Sequence, residues 1–191
     1  MKSLITAIVA TLALLSGCSD DAPSATDEGL LQVEDLHAQP GKTADAERLP
    51  PIGSYCAMEF GRIFGPSFEV TGVEYSDVDG VTITSLVSTN PDVSDDRIPQ
   101  IRQDIERCSA GTQDPRHIEA LDLGDNRAAL TAPAYDDAQA PAGKIAFARV
   151  KKTYVIVAVT APTGSADTGT ADLAALLDAA VDRAEAHPQD D

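Results

Sequence analysis

The run Tyr154–Val159 is apolar at every position, and it restricts the chain to folds whose sheet is covered on both faces. Its sequence, YVIVAV, is rich in β-branched residues, which favour strands. A strand with one wet face alternates between polar and apolar residues, whereas this run offers no polar side to water. We therefore expect it to lie at the centre of a sheet that is packed on both sides.

Short turn signals join this strand and others into hairpins. We predict strands over residues 68–75, 81–89, 118–123, 127–132, 144–150 and 153–161. The connecting turns are Asp79-Gly80, Gly124-Asp125-Asn126 and Lys151-Lys152. Within the first strand, Gly72 is a candidate β-bulge. Consecutive hairpins predict a mainly antiparallel sheet.

Helical spacing of apolar residues marks the other segments. We predict one or two helical turns over 30–36, a loop over 38–51, and helices over 54–64, 91–108 and the region from Asp172 onward. The central helix has a stripe of Ile98, Ile101, Ile105 and Cys108, and Pro99 is expected to kink it or move its start inward. The C-terminal helix has a stripe of Leu173, Leu176, Leu177, Ala180, Val181 and Ala184.

The order of elements is therefore α-β-β-α-β-β-β-β-α. This order predicts an α+β fold in which helices flank a mainly antiparallel sheet. We expect one domain over residues 30–187, followed by a frayed tail at 188–191.

The N-terminus has the pattern of a lipoprotein signal peptide. Lys2 precedes the apolar run Leu4–Leu15, which is too short to be a permanent membrane span and leads into Leu15-Ser16-Gly17-Cys18. Small residues before a cysteine resemble the bacterial lipobox, in which the thiol takes the lipid. We expect residues 1–17 to be removed and Cys18 to be acylated. The alternative is an ordinary secretory signal with an incidental cysteine.

The residues after Cys18 are small, polar and acidic. The segment 18–29 therefore predicts a disordered tether. Acyl chains on Cys18 would anchor the protein in the cell membrane, because each buried methylene contributes about 0.8 kcal/mol. We expect the domain to face the extracytoplasmic side.

Two further cysteines, Cys56 and Cys108, form an even pair in an exported chain. In an oxidising compartment such a pair predicts a disulfide. Two buried thiols are the alternative. A metal site is disfavoured, because neither cysteine has a second cysteine or a histidine at ligand spacing.

The charge balance excludes one large class of partner. The chain has 31 acidic and 14 basic residues, giving a net charge of −17. Such a polyanion repels phosphate backbones, so we expect no nucleic-acid binding.

The few positively charged residues cluster on the central helix and the last hairpin. Candidate ligand-contacting residues are Arg97, Arg102, Arg149, Lys151 and Lys152. The alternative is solubility and local pairing with Asp96, Asp104 and Glu106.

No catalytic or cofactor motif is recognisable in the sequence. The three histidines, His37, His117 and His187, are scattered, and no neighbouring residue completes a metal site or a catalytic group. The stretch 75–86 contains Asp77, Asp79 and Gly80 but lacks terminal carboxylates of a calcium loop. We expect no metal, no cofactor and no enzymatic activity.

Several of these features together resemble the actinobacterial PknH-like extracellular sensor domain, over about residues 30–186. They are the lipobox cysteine, the acidic tether, the Leu30–Leu36 segment, two strands before a helix ending in Cys108, and a final hairpin before the C-terminal helix. The chain departs from the receptor-kinase domain, which has two disulfides. The resemblance implies an antiparallel sheet flanked by helices and a cleft with a presumed ligand-binding role. The order of elements also resembles, more loosely, the PsbP-like α/β sandwich.

Two functional hypotheses follow from the sequence. The first is a membrane-anchored, non-catalytic sensor-like module that binds a small molecule, lipid or glycan in a cleft. The alternative is a scaffolding lipoprotein that docks an exported partner. A sizeable cavity would favour the first, and an exposed apolar patch would favour the second.

Overall fold

An antiparallel sheet organises the chain, and its strands pair in the order β1-β2-β3-β7-β6-β5-β4. The computed structural model describes residues 28–50, 70–89, 97–110, 118–132, 142–162, 168 and 171–188. The strands are β1 (Lys42–Ala46), β2 (Thr71–Val78), β3 (Val81–Thr89), β4 (Glu119–Leu121), β5 (Arg127–Ala132), β6 (Gly143–Val150) and β7 (Thr153–Thr160). The helices of these ranges are α1 (Arg97–Ser109) and α2 (Leu173–Ala186). The predicted α+β class with a single domain and an antiparallel sheet is confirmed.

The central position of β7 is also confirmed. All eight residues of β7 are buried, and β7 pairs with β3 on one side and β6 on the other. Val155, Val157 and Val159 belong to a core cluster with α2, whereas Tyr154 and Ile156 belong to a second cluster with α1. The two helices therefore cover opposite faces of the sheet.

The predicted hairpin turns form as expected. Asp79 and Gly80 connect β2 to β3 with φ values of 50° and 81°. The β-bulge expected at Gly72 is wrong, because the ladder is regular there and is interrupted between Tyr75 and Val78. Gly72 serves a different purpose: a Cβ atom at this position would lie 2.0 Å from the Ser85 carbonyl oxygen.

The loop predicted over 38–51 contains a strand. β1 pairs along its whole length with β2, from Lys42 opposite Ser76 to Ala46 opposite Gly72. Its sequence KTADA lacks apolar alternation, because β1 is an edge strand and only Ala46 is buried. Charged residues are typical of edge strands, where they discourage pairing with other chains.

Both described helices pack largely as their sequences predict. Helix α1 is described from Arg97 to Ser109, and Pro99 lies near the start of that range, where a proline is tolerated more easily than in the helix interior. Helix α2 is capped by Asp172, whose carboxylate accepts hydrogen bonds from the backbone N–H groups of Ala174 at 3.0 Å and Ala175 at 3.2 Å. In the α2 stripe, Val181 is only partly buried, whereas Ala184 is buried with the other members.

The segment 30–38, here called the N-terminal strap, packs on the α2 face of the sheet. Leu31 is fully buried; its N–H donates to Ser85 Oγ at 3.1 Å, and the Tyr75 hydroxyl donates to its carbonyl at 2.7 Å. The predicted helical turn is a short 3-10 helix, Val33–Asp35. Burial first, then the nearby Asp35 and Glu34 carboxylates, raise the pKa of Tyr75 to about 12, so its hydroxyl remains a donor at neutral pH.

A guanidinium joins the strap to α2. Arg183 Nε lies 2.5 Å from Asp35 Oδ2, and Arg183 Nη2 lies 2.7 Å from Glu34 Oε1. Hydrogen bonding to Asp35 is the main cause that raises the pKa of Arg183. For Glu34, a backbone hydrogen bond and then Arg183 lower the pKa. The strap is therefore fixed by both apolar packing and charge.

Several predictions fall on residues outside the described ranges. They are the signal peptide 1–17, Cys18, most of the tether, the helix over 54–64 with Cys56, and His117. The backbone of Cys108 lies in α1, but its side chain is not described.

Candidate functional site

A cavity of about 470 Å³ lies where α1, the β4–β5 turn and the β6–β7 hairpin meet. It is lined by Ile98, Asn126, Arg149, Lys151 and Lys152. Its volume is in the range of small-molecule sites, about 300–1,000 Å³. Among the described lining residues three are basic and none is acidic, although acidic residues outnumber basic ones 31 to 14 in the chain.

The basic hairpin is built on an unusual backbone conformation. Lys151 has a φ of 55°, in the left-handed region that Gly, Asn or Asp most often adopts in turns. Arg149 Nε donates to the Lys151 carbonyl at 2.6 Å and so holds the turn. Strained non-glycine residues are often found at functional sites. Lys151 therefore lies at the tip of this hairpin in a conformation that a glycine would adopt more easily.

Arg97 lies close to the same group of charges. Tyr154 pairs with Arg149 across β6 and β7 and is fully buried. Burial raises the pKa of Tyr154, while the positive charges of Arg149 and Arg97 lower it, so both guanidinium groups act on one phenol. Arg97 Nη1 also donates to Gln100 Oε1 at 3.2 Å. Arg97 therefore adds positive charge near the cavity.

Arg102 is not among the residues that line the cavity; it stabilises a neighbouring turn instead. Its guanidinium donates to the carbonyl oxygens of Gly124 at 2.5 Å and of Arg127 at 2.6 and 3.0 Å. These bonds brace the β4–β5 turn, which contains Asn126. Of the five predicted basic residues, three line the cavity, Arg97 lies near it, and Arg102 supports one of its loops.

Two lining residues had no functional signal in the sequence. Asn126 is recognisable only as a turn residue, and its φ of 59° fits that role. Ile98 reads as a member of the buried stripe of α1, and it is indeed buried. Asn126 reaches the basic hairpin because β5 pairs with β6, with Arg127 opposite Ala148, and Ile98 reaches it on α1.

The two histidines within the described residues each lie beside a single carboxylate. His37 lies 3.2 Å from Asp79, and His187 lies 3.1 Å from Glu28. Across the ranges that the structure describes, no group of three His, Cys, Asp or Glu side chains is arranged to hold a metal. No helix in these ranges is long and apolar enough to cross a membrane.

No protein-family model matches the chain, and no curated protein matches it at a significant level. The resemblance to the PknH-like sensor domain therefore remains a prediction from the motifs quoted above.

Proposed function

We propose that this protein is a membrane-anchored, non-catalytic binding protein of the cell envelope, with a sensor-like domain resembling the PknH-like family. Its ligand is a small anionic molecule that occupies the cavity beside the Lys151-Lys152 hairpin. The observation that carries this proposal is the convergence of three cationic side chains on one cavity of about 470 Å³ in a strongly acidic chain.

Native mass spectrometry of the full chain, extracted from its own membrane in a neutral detergent, tests this proposal. We expect an added mass that is released on activation and is reduced in a Lys151→Gln/Lys152→Gln variant. A control variant, Lys42→Gln/Arg107→Gln, removes the same charge from exposed positions on β1 and α1. Specific capture of an exported protein, with no small mass, would instead favour the scaffolding alternative.

The proposed anchor rests on Cys18. Because acylation needs the thiol, Cys18→Ala is expected to abolish incorporation of a clickable fatty acid and to release at least part of the protein from the membrane fraction. Ser19→Ala is the matched control and should label like the wild type. Equal labelling of the Cys18→Ala variant would contradict the anchor.

We also propose a disulfide between Cys56 and Cys108. In the chain-entropy picture, closing a loop of about 52 residues restricts the unfolded state, so its loss should cost about 2–4 kcal/mol. Peptide mapping without reductant should recover the two cysteines in one linked species. The Cys56→Ser, Cys108→Ser and double variants should be destabilised to similar extents. Two alkylatable thiols in the mature protein would contradict this bond.

A further inference from the structure

The two histidines in the described part of the chain both lie at the ends of the N-terminal strap. His37 belongs to the strap, and its Nε2 atom lies 3.2 Å from the Asp79 carboxylate in the β2–β3 turn. His187 ends α2, and its Nδ1 atom lies 3.1 Å from the carboxylate of Glu28, two residues before the strap. One histidine and one carboxylate therefore join each end of the strap to the rest of the domain.

Both pairs contain the residue type that responds to pH near neutrality. Histidine is the side chain that ordinarily changes its charge between about pH 5 and 8. A protonated imidazole attracts the carboxylate beside it, whereas a neutral one retains at most a hydrogen bond. Carboxyl groups ordinarily stay ionised above about pH 5. Both pairs therefore hold the strap more firmly in a mildly acidic medium and weaken as the pH rises toward 8.

The contacts at the centre of the strap persist over the same range of pH. Hydrogen bonding to Asp35 raises the pKa of Arg183, and a backbone hydrogen bond, then Arg183, lowers the pKa of Glu34, so these groups keep their charges. Burial first raises the pKa of Tyr75 to about 12, so its hydroxyl still donates to the Leu31 carbonyl. A change of pH between 5 and 8 therefore acts on the two ends of the strap.

The other charges beside the two ends do not reverse this effect. The hairpin that His37 meets carries Asp77 and Asp79, and the adjoining β1 begins with Lys42. The charged groups at the other end are Glu28, Glu34 and Asp35 on the N-terminal side and Arg183 on α2, one helical turn before His187. Arg183 is itself paired with two carboxylates, so neither end has an excess of positive charge that would repel a protonated imidazole.

We propose that the strap is a pH-sensitive latch, closed at both ends in a mildly acidic medium and held only at its centre in a mildly alkaline one. The four side chains of the two pairs are between 35% and 61% exposed, and pairs this exposed contribute little individually. Because both pairs oppose the same local opening, together they should change its equilibrium about two- to tenfold. Opening would release chain on the N-terminal side of β1 without unfolding the sheet.

Hydrogen exchange of the full chain in neutral detergent, at pH 5.5 and pH 8, tests the proposal. The reporters are two strap amides, the Leu31 N–H, which donates to Ser85 Oγ, and the Leu36 N–H, which donates to the Val33 carbonyl. After correction for the intrinsic pH dependence of exchange, we expect their protection to be about two- to tenfold higher at pH 5.5 than at pH 8. Protection in β7 should change less.

Two double variants remove the proposed pairs from opposite sides. In His37→Gln/His187→Gln, strap protection should remain near the wild-type value at pH 8 at both pH values. Glu28→Gln/Asp79→Asn should show the same loss of pH dependence. Asparagine is suitable at position 79 because it tolerates the φ of 50° that Asp79 adopts.

The third histidine of the sequence provides the control. His117→Gln should keep the pH dependence of the wild type. Equal strap protection at the two pH values in the wild-type protein would overturn the latch. It would also be overturned by a pH dependence that persists in either double variant, because another titrating group would then be responsible. Loss of the dependence in His117→Gln would have the same meaning.

Discussion

Leu177→Ala is expected to lower the free energy of unfolding by about 2–5 kcal/mol, because truncating a packed leucine loses its burial and leaves a cavity. Leu177 is fully buried in α2 and belongs to the core cluster that joins this helix to the sheet. Helix α2 contacts both β6 and β7. The lost packing therefore weakens contacts at the centre of the sheet. Chemical denaturation followed by circular dichroism measures it.

Val181→Ala on the same helix is the matched control. Val181 is only partly buried against the same cluster, so its truncation should cost clearly less than that of Leu177. Equal and near-zero effects of the two substitutions would show that the α2 stripe is not packed in solution. That outcome would favour a helix that docks a partner, and so the scaffolding alternative.

The parts of the fold that the sequence predicted are those whose signals are local. The β7 run is apolar at every position, and the structure buries all eight residues of that strand. The Asp79-Gly80 turn depends only on neighbouring residues and forms as expected, and the last helix starts after Asp172, where its sequence predicts it. In these cases the neighbouring residues alone were sufficient to predict the structure.

The parts that the sequence missed depend on contacts between distant segments. β1 has no apolar alternation, and it becomes a strand because β2 supplies hydrogen-bond partners about 30 residues later in the chain. Leu31 is fixed by hydroxyl groups of β2 and β3, which no local pattern reveals. At the cavity, the positive charge of the Lys151-Lys152 hairpin could be predicted from the sequence. Asn126 and Ile98 lie beside this hairpin only because of the tertiary fold, so the sequence did not indicate them.

The N-terminal strap is the element that connects the proposed anchor to the core, and it carries the second large expected effect. Leu31→Ala should lower the free energy of unfolding by about 2–5 kcal/mol, because this side chain is fully buried in the α2-face cluster. The hydrogen bonds with the Ser85 and Tyr75 hydroxyl groups involve the backbone of Leu31, so alanine can keep them, and the loss of stability measures side-chain packing.

Leu36→Ala is the control within the strap, since Leu36 is only partly buried against the same cluster and should cost less. Hydrogen exchange adds a spatial readout. If the strap stabilises the sheet, exchange in Leu31→Ala should accelerate in β2 and β3, which the strap contacts, more than in β4 and β5 at the far edge. Faster exchange confined to the strap, with an unchanged unfolding midpoint, would show that the strap opens without weakening the core. Since the chain continues from the strap into β1, a strap that opens would lengthen the proposed tether, whereas a strap that unfolds only with the core would keep the sheet closer to the proposed anchor.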